Sequence, residues 1–230
     1  MCGRDGERPV RGLLTKGVGM TSDRTRGRLI DRLLAEGIDD EAVLGAIEQV
    51  PRHYFVDESI AHLAYEDRAL PIGKRQTISQ PFVVALMTKA VMQTPDVSKV
   101  LEIGTGCGYQ AAVLANVVDS VYSVERIESL SLAARSRMRK LGLENVRIRF
   151  GDGFEGWEEH APYDAVIVTA ATSTIPEALK SQVRENGRIV VPIGRGGFQR
   201  LVCLDHMDGG WKETYMESVT FVPLLPGTTQ

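Results

Sequence analysis

Between residues 99 and 194 one pattern repeats: a short run of β-branched and apolar residues, then a stretch with helical spacing. Strand KVLEIG (99–104) leads into helix YQAAVLANVV, and strand SVYSVE (120–125) into helix ESLSLAARSRMRKLG. Strand VRIRFGD (146–152) comes next, then strand YDAVIVTA (163–170), helix IPEALKSQV and strand GRIVVPIG (187–194). Strands this uniformly apolar have no face to offer water, so a mostly parallel sheet with helices on both sides is the arrangement that buries them. Two further strands are expected in the tail, RLVCLDHM (200–207) and SVTFVPL (218–224), with the polar DGGWKET between them, which predicts antiparallel pairing. The expected fold class is α/β: a doubly wound, mostly parallel sheet of about seven strands, with helices on both faces and an antiparallel C-terminal strand.

Ahead of this core, RLIDRLLAEGI sets Leu29, Ile30, Leu33 and Leu34 on one stripe that Gly37 ends. DDEAVLGAIEQVP (39–51) is a short helix with Asp39 or Asp40 as its cap and Pro51 as its stop. PRHYFVDE (51–58) and ALPIGKRQTIS (69–79) read as irregular functional loops, because they keep aromatic and apolar residues. Tyr54 and Phe55 are candidates for a cleft wall. From Gln80 the spacing is helical again, with Pro81 in the first turn, where its missing N–H costs nothing. Residues 1–22 are expected to be a disordered extension without the apolar stretch of a secretory signal. Residues 23–230 are expected to form a single domain: a helical segment (23–98), the α/β core (99–194) and the C-terminal strands (195–230).

Net charge is −3 and the pI about 5.9, with no Lys/Arg tract, so nothing marks an electrostatic footprint for nucleic acid or an anionic membrane. No apolar run approaches the ~18 residues of a membrane span. Cys2, Cys107 and Cys203 are far apart and form no Cys-x-x-Cys pair, which argues against a disulfide framework and a zinc site and fits a reducing cytosol. The expectation is a cytoplasmic monomer with no metal, no nucleic-acid partner and no membrane partner.

Gly104, Gly106 and Gly108 form Gly-x-Gly-x-Gly between a strand and a helix, where a tight turn lets backbone approach a ligand and the helix offers free N–H groups. The dinucleotide fingerprint needs a glycine at 109, where Tyr109 stands, so a pyrophosphate site is disfavoured. Glu125 ends the second strand, where a carboxylate can accept from both ribose hydroxyls. Asp152, within Gly151-Asp152-Gly153, ends the third, where a carboxylate can accept from an adenine amino group. Each acid alone reads equally as a solvated loop residue or a cap. All three features in order, ribose and adenine without pyrophosphate, point to S-adenosylmethionine. Cys107 reads as a small space-filler.

The methyl acceptor leaves marks of its own. Nucleic-acid amine methylation calls for an Asn/Asp-Pro-Pro-aromatic run after the fourth strand, where this chain has Thr169-Ala170-Ala171-Thr172, and cytosine C5 chemistry calls for a Pro-Cys pair, which is absent. A carboxylate acceptor, with a pKa of roughly 4, is already ionised and needs only alignment and removal of water. Thr77 and Ser79, in QTISQP (76–81), can supply hydroxyl donors for that alignment at a helix start. By general preference Ser79 reads equally well as a helix cap.

These motifs together resemble the protein-L-isoaspartate O-methyltransferase family across nearly all of residues 23–225. The resemblance is carried by QTISQP, VLEIGTGCGYQ, SVERI, Gly151-Asp152-Gly153, APYDAVIVTAA (161–171), PRHYFVDE and FVPL (221–224). It implies a Rossmann-like methyltransferase fold and a repair enzyme acting on isoaspartyl-containing proteins and peptides. Methyl would pass from S-adenosylmethionine to the free α-carboxylate of an L-isoaspartyl residue, and the ester would cyclise to a succinimide. The resemblance assigns Ser79 as the catalytic residue within a substrate motif of Thr77, Ile78 and Ser79. It assigns cofactor contacts to Gly104, Thr105, Gly106, Gly108, Glu125, Asp152 and Gly153. A methyltransferase for a small metabolite is the alternative; a catalytically silent adenosylmethionine-binding module and an oxidoreductase stand further off.

Overall fold

The strands that the sequence marks as apolar on both faces assemble into the centre of one seven-stranded sheet. The computed structural model describes residues 21–230. The extension expected over residues 1–22 therefore lies outside the described residues, apart from Thr21 and Ser22, which lead into the first helix.

Strands β3 (Lys99–Ile103), β4 (Ser120–Glu125), β5 (Val146–Phe150), β6 (Tyr163–Val168) and β7 (Val183–Arg195) pair in parallel in the order β5-β4-β3-β6-β7. Successive side chains alternate between two core layers, as a pleat requires. Val100, Ala165, Ile167 and Val190 enter one layer, and Leu101, Val166, Val168 and Ile189 the other. The first layer is closed by α1 (Asp23–Ala35), α2 (Glu41–Gln49), α3 (Pro81–Met92), α4 (Tyr109–Leu114) and α5 (Glu128–Leu141). The second is closed by α6 (Glu177–Ser181) with Trp157. Chain order reverses between β3 and β6, which opens a crevice at the carboxyl ends of those strands, where doubly wound sheets bind ligands.

The tail departs from expectation. β8 (Phe198–Met207) and β9 (Gly210–Val219) complete the sheet by antiparallel pairing onto β7, but only a tight turn separates them. Trp211 and Lys212, expected in a loop, are strand residues opposite His206 and Asp205. The polar composition misled because β9 is an edge strand and keeps a solvated face. Residues 220–224, expected as strand, leave the sheet and run back over the crevice.

The front of the chain also departs in two places: residues 51–58, expected as irregular, hold a 3-10 helix at Arg52–Phe55 and the start of a second at Glu58–Leu63. Residues 69–79 are not irregular: β1 (Leu70–Gly73) and β2 (Gln76–Ile78) form a separate antiparallel hairpin. Its turn residues, Lys74 and Arg75, take φ values of 50° and 57°. Such a turn usually carries Asn-Gly, so Lys-Arg gave no local signal. Of the two acids before α2, Asp40 is the cap, accepting from the Val43 N–H at 3.1 Å, while Asp39 pairs with Lys89.

Candidate active site

The glycine turn joins the end of β3 to α4. Gly104 has φ +97°, and a Cβ there would lie 2.5 Å from Thr169 Oγ1. Position 104 is thus closed to any side chain by both backbone and neighbour. The Thr169 hydroxyl donates to the Gly104 carbonyl at 2.6 Å, tying the turn to the end of β6. Gly108 serves a different purpose: its missing Cβ admits the Met138 side chain of α5, and it does not line the crevice. Thr105 is buried, with its hydroxyl 2.5 Å from that of Ser123. Ser123 in turn donates to Glu102, which is fully buried in β3. Burial pushes the Glu102 carboxyl up to about 8, against the hydrogen bond from Ser123, so it is largely neutral at pH 7. Its Oε1 has no partner among the described residues.

The crevice encloses about 860 Å³, its open mouth included, and brings together most of the expected residues. Gln76, Thr77, Ile78, Ser79, Gly104, Thr105, Gly106, Glu125, Gly153 and residues 222–225 all line it. Glu125 Oε2 accepts from the Gly106 N–H at 2.7 Å, and Oε1 from the Ile127 N–H at 2.9 Å. Each oxygen keeps a lone pair free. Burial raises the pKa of this carboxyl and the backbone donors lower it. Gly153 packs against β3, where a Cβ would lie 2.5 Å from Ile103. Asp152 is not brought to the crevice wall. Its Oδ1 accepts from the Phe154 N–H at 2.9 Å and its Oδ2 from the Gly227 N–H at 2.6 Å, so it caps a turn and holds the C-terminal segment.

Ser79 lies between β2 and α3, half-buried, and it is not the helix cap. The N-cap position belongs to Gln80, whose side chain makes no capping bond. The Phe82 N–H of the first turn donates instead to Asp67 Oδ1 at 2.8 Å, from a segment 15 residues away. Pro81 has no N–H to satisfy. The Ser79 hydroxyl therefore has no structural partner among the described residues and faces the crevice, beside the exposed Thr77. Ile78 is buried at 3% exposure and contributes core packing together with a small part of the wall. Tyr54 and Phe55 do not line the crevice. Phe55 is fully buried and meets Tyr109 edge-on at 5.4 Å, beneath the wall rather than in it.

Among the lining residues that sequence reasoning missed are Gln76, Val84, Gln110, Thr169 and residues 222–224. For Gln110 the signal was present, since it lies in the first turn of the helix after the glycine turn. Asp67 carried none, because its hydrogen bond exists only once two loops meet.

A glycine turn at the switch point, a strand-end Glu with both oxygens held, and a free serine hydroxyl across the crevice define a nucleoside-binding α/β protein of the doubly wound class. The family model described as protein-L-isoaspartate(D-aspartate) O-methyltransferase matches residues 24–229. A protein-L-isoaspartate O-methyltransferase of Halorhodospira halophila is 53% identical over 211 residues, covering 92% of this chain and 96% of its own. One from Pseudomonas paraeruginosa is 52% identical over 208 residues, covering 90% and 99%. A solved protein-L-isoaspartate O-methyltransferase superposes with a TM-score of 0.77 at 32% identity, covering 86% of this chain, which spans 65% of that longer one. A candidate member from Plasmodium falciparum, solved with S-adenosyl-L-homocysteine, gives 0.76 at 26% identity, covering 87% and 98%. The chain belongs to the protein-L-isoaspartate O-methyltransferase family.

Proposed function

We propose that this chain is a protein-repair enzyme that methylates the free α-carboxylate of L-isoaspartyl residues, with S-adenosylmethionine as methyl donor. The observation that carries the reading is the Ser79 hydroxyl. It is released from capping by Asp67 and opens into the same crevice as Glu125. When bound, S-adenosylmethionine supplies an electrophilic methyl group on sulfur. Glu125 offers the remaining lone pairs of a carboxylate to the ribose hydroxyls, while the Gly104–Gly106 backbone and Gly153 line the same crevice beside the nucleoside. A buried carboxylate whose two oxygens are each held by a backbone N–H, in a crevice that Gly104, Gly106 and Gly153 also line, fits such a group.

The acceptor carboxylate needs no base, because it is ionised at neutral pH. Thr77 and Ser79 donate hydrogen bonds that orient one of its oxygens toward the methyl without protonating it, and the crevice walls remove water from around both charges. Asp152 supports the site indirectly, by holding the segment that forms one wall. The methyl ester then closes to a succinimide through attack by the neighbouring backbone nitrogen, which expels methanol and needs no residue of the enzyme.

Exposure of Thr77 at the mouth supports access by a polypeptide chain. The reading includes a cytoplasmic monomer that does not act on nucleic acid; the free thiols of Cys107 and Cys203 support a reducing compartment. Among the described residues no helix is long and apolar enough to cross a membrane. The test is transfer of labelled methyl to matched peptides carrying L-isoaspartate or L-aspartate at one position. Base-labile label on the isoaspartyl peptide alone is expected. Label on neither, with cofactor bound, would overturn the reading and favour a small acceptor.

A further inference from the structure

Gln110 is the second residue of α4 and lines the crevice, as Val84 and Ser79 do, with 8% exposure. Its amide is held in one orientation by a chain of two hydrogen bonds. The Thr88 hydroxyl, fully buried in α3, donates to the Val84 carbonyl at 2.7 Å. A threonine hydroxyl has one proton, so toward Gln110 it can only accept. Gln110 Nε2 donates to it at 2.9 Å. The flipped amide could be met only by turning the Thr88 proton away from the Val84 carbonyl, which gives up one of the two hydrogen bonds, so that orientation is disfavoured. Gln110 Oε1 is left with no donor among the described residues, in a side chain that borders the crevice.

We infer that Gln110 is a binding residue whose fixed carbonyl accepts a hydrogen bond from an N–H group of a ligand in the crevice. The inference rests on the methyl-transfer reading above. Two ligands carry such a group there: the ammonium at the amino-acid end of the cofactor, and a backbone amide next to the isoaspartyl residue. An acceptor suits either, and an amide free to turn would suit both less well, because half of its orientations present a donor.

Three variants test this: Gln110→Met, which keeps length and loses the acceptor, Gln110→Glu, which keeps an acceptor, and Thr88→Val, which frees the amide to turn. Wild-type turnover on the isoaspartyl peptide is measured first, so failure of the functional reading shows itself before any variant is made. Calorimetric affinities for S-adenosylhomocysteine and for 5′-methylthioadenosine, which lacks the amino-acid end, form one arm. KM and kcat for the peptide form the other.

If the cofactor is the donor, Gln110→Met weakens S-adenosylhomocysteine about 10-fold and leaves methylthioadenosine unchanged, and Gln110→Glu recovers the loss. If the peptide is the donor, KM rises about 10-fold with cofactor affinity unchanged. In either case Thr88→Val produces a smaller loss in the same constant. The inference is overturned if Gln110→Met and Thr88→Val lower thermal stability alike while both constants stay within about twofold of wild type. It is equally overturned if the two nucleosides weaken together, which would mean general disturbance of the site.

Discussion

Replacing Ser79 and Asp67 separately by alanine distinguishes a helix cap from a substrate-orienting hydroxyl. Asp67 accepts from the Phe82 N–H at 2.8 Å in the first turn of α3, so Asp67→Ala removes a working cap. Loss of a cap of this kind costs about 1 kcal/mol. In a domain of this size that lowers Tm by about 2–4 °C. Ser79 makes no such bond, and a half-buried side chain without partners changes stability by about 0.5 kcal/mol or less when trimmed. Ser79→Ala is therefore expected to shift Tm by no more than about 2 °C. Its effect belongs in turnover: removing a donor to a carboxylate costs about 1.5–3 kcal/mol, which lowers kcat/KM for the isoaspartyl peptide at least 10-fold. Thermal scanning, calorimetry with S-adenosylhomocysteine and methyl-transfer kinetics on both variants read the three quantities apart. If Ser79→Ala melts as early as Asp67→Ala and keeps wild-type turnover, the assignment is wrong and the serine is structural.

Three further outcomes are expected. Glu102 holds its proton in the fold up to about pH 8, whereas an unfolded glutamate loses it near its ordinary value of 4.5. The unfolded state thus binds fewer protons between those values, so stability falls as pH rises through that window. Glu102→Gln should flatten the slope and raise Tm at pH 8 relative to wild type; parallel Tm–pH curves for the two proteins would contradict this. Glu125→Ala removes the acceptor for the Gly106 and Ile127 N–H groups as well as for ribose, and should weaken S-adenosylhomocysteine by at least about 10-fold in calorimetry. An unchanged affinity would remove Glu125 from the nucleoside site. Gly104→Ala meets both a φ of +97° and Thr169 Oγ1 at 2.5 Å, and should cost more than about 1 kcal/mol in urea unfolding. Adding Thr169→Ala relieves the contact but not the backbone, so recovery should be partial, and full recovery would mean that the backbone carries no strain.

The central strands and the glycine turn were legible from the residues because their burial is uniform: a strand apolar on both faces has few partners that satisfy it. β9 was not, because an edge strand with one wet face has no composition that separates it from a loop, and its register depends on β8. The hairpin at 70–78 was hidden by a Lys-Arg turn that neighbours, rather than propensity, hold in place. Within the site, Glu125 could be found from its place at the end of a strand. Asp152 occupies an equivalent place, yet its oxygens are taken by Phe154 and Gly227, 75 residues apart in the second case.

Strand-and-helix alternation, a turn that only glycine permits and the order of the acids that follow were set by local chemistry, which depends on near neighbours in the chain and needs no folded context. Which serine is free, which amide oxygen is left open and which carboxylate is already engaged were decided only in the tertiary structure. A hydrogen bond satisfied by a distant segment removes a group from the site, and the partners of Asp67, Gln110 and Asp152 all come from segments that meet only when the chain has folded.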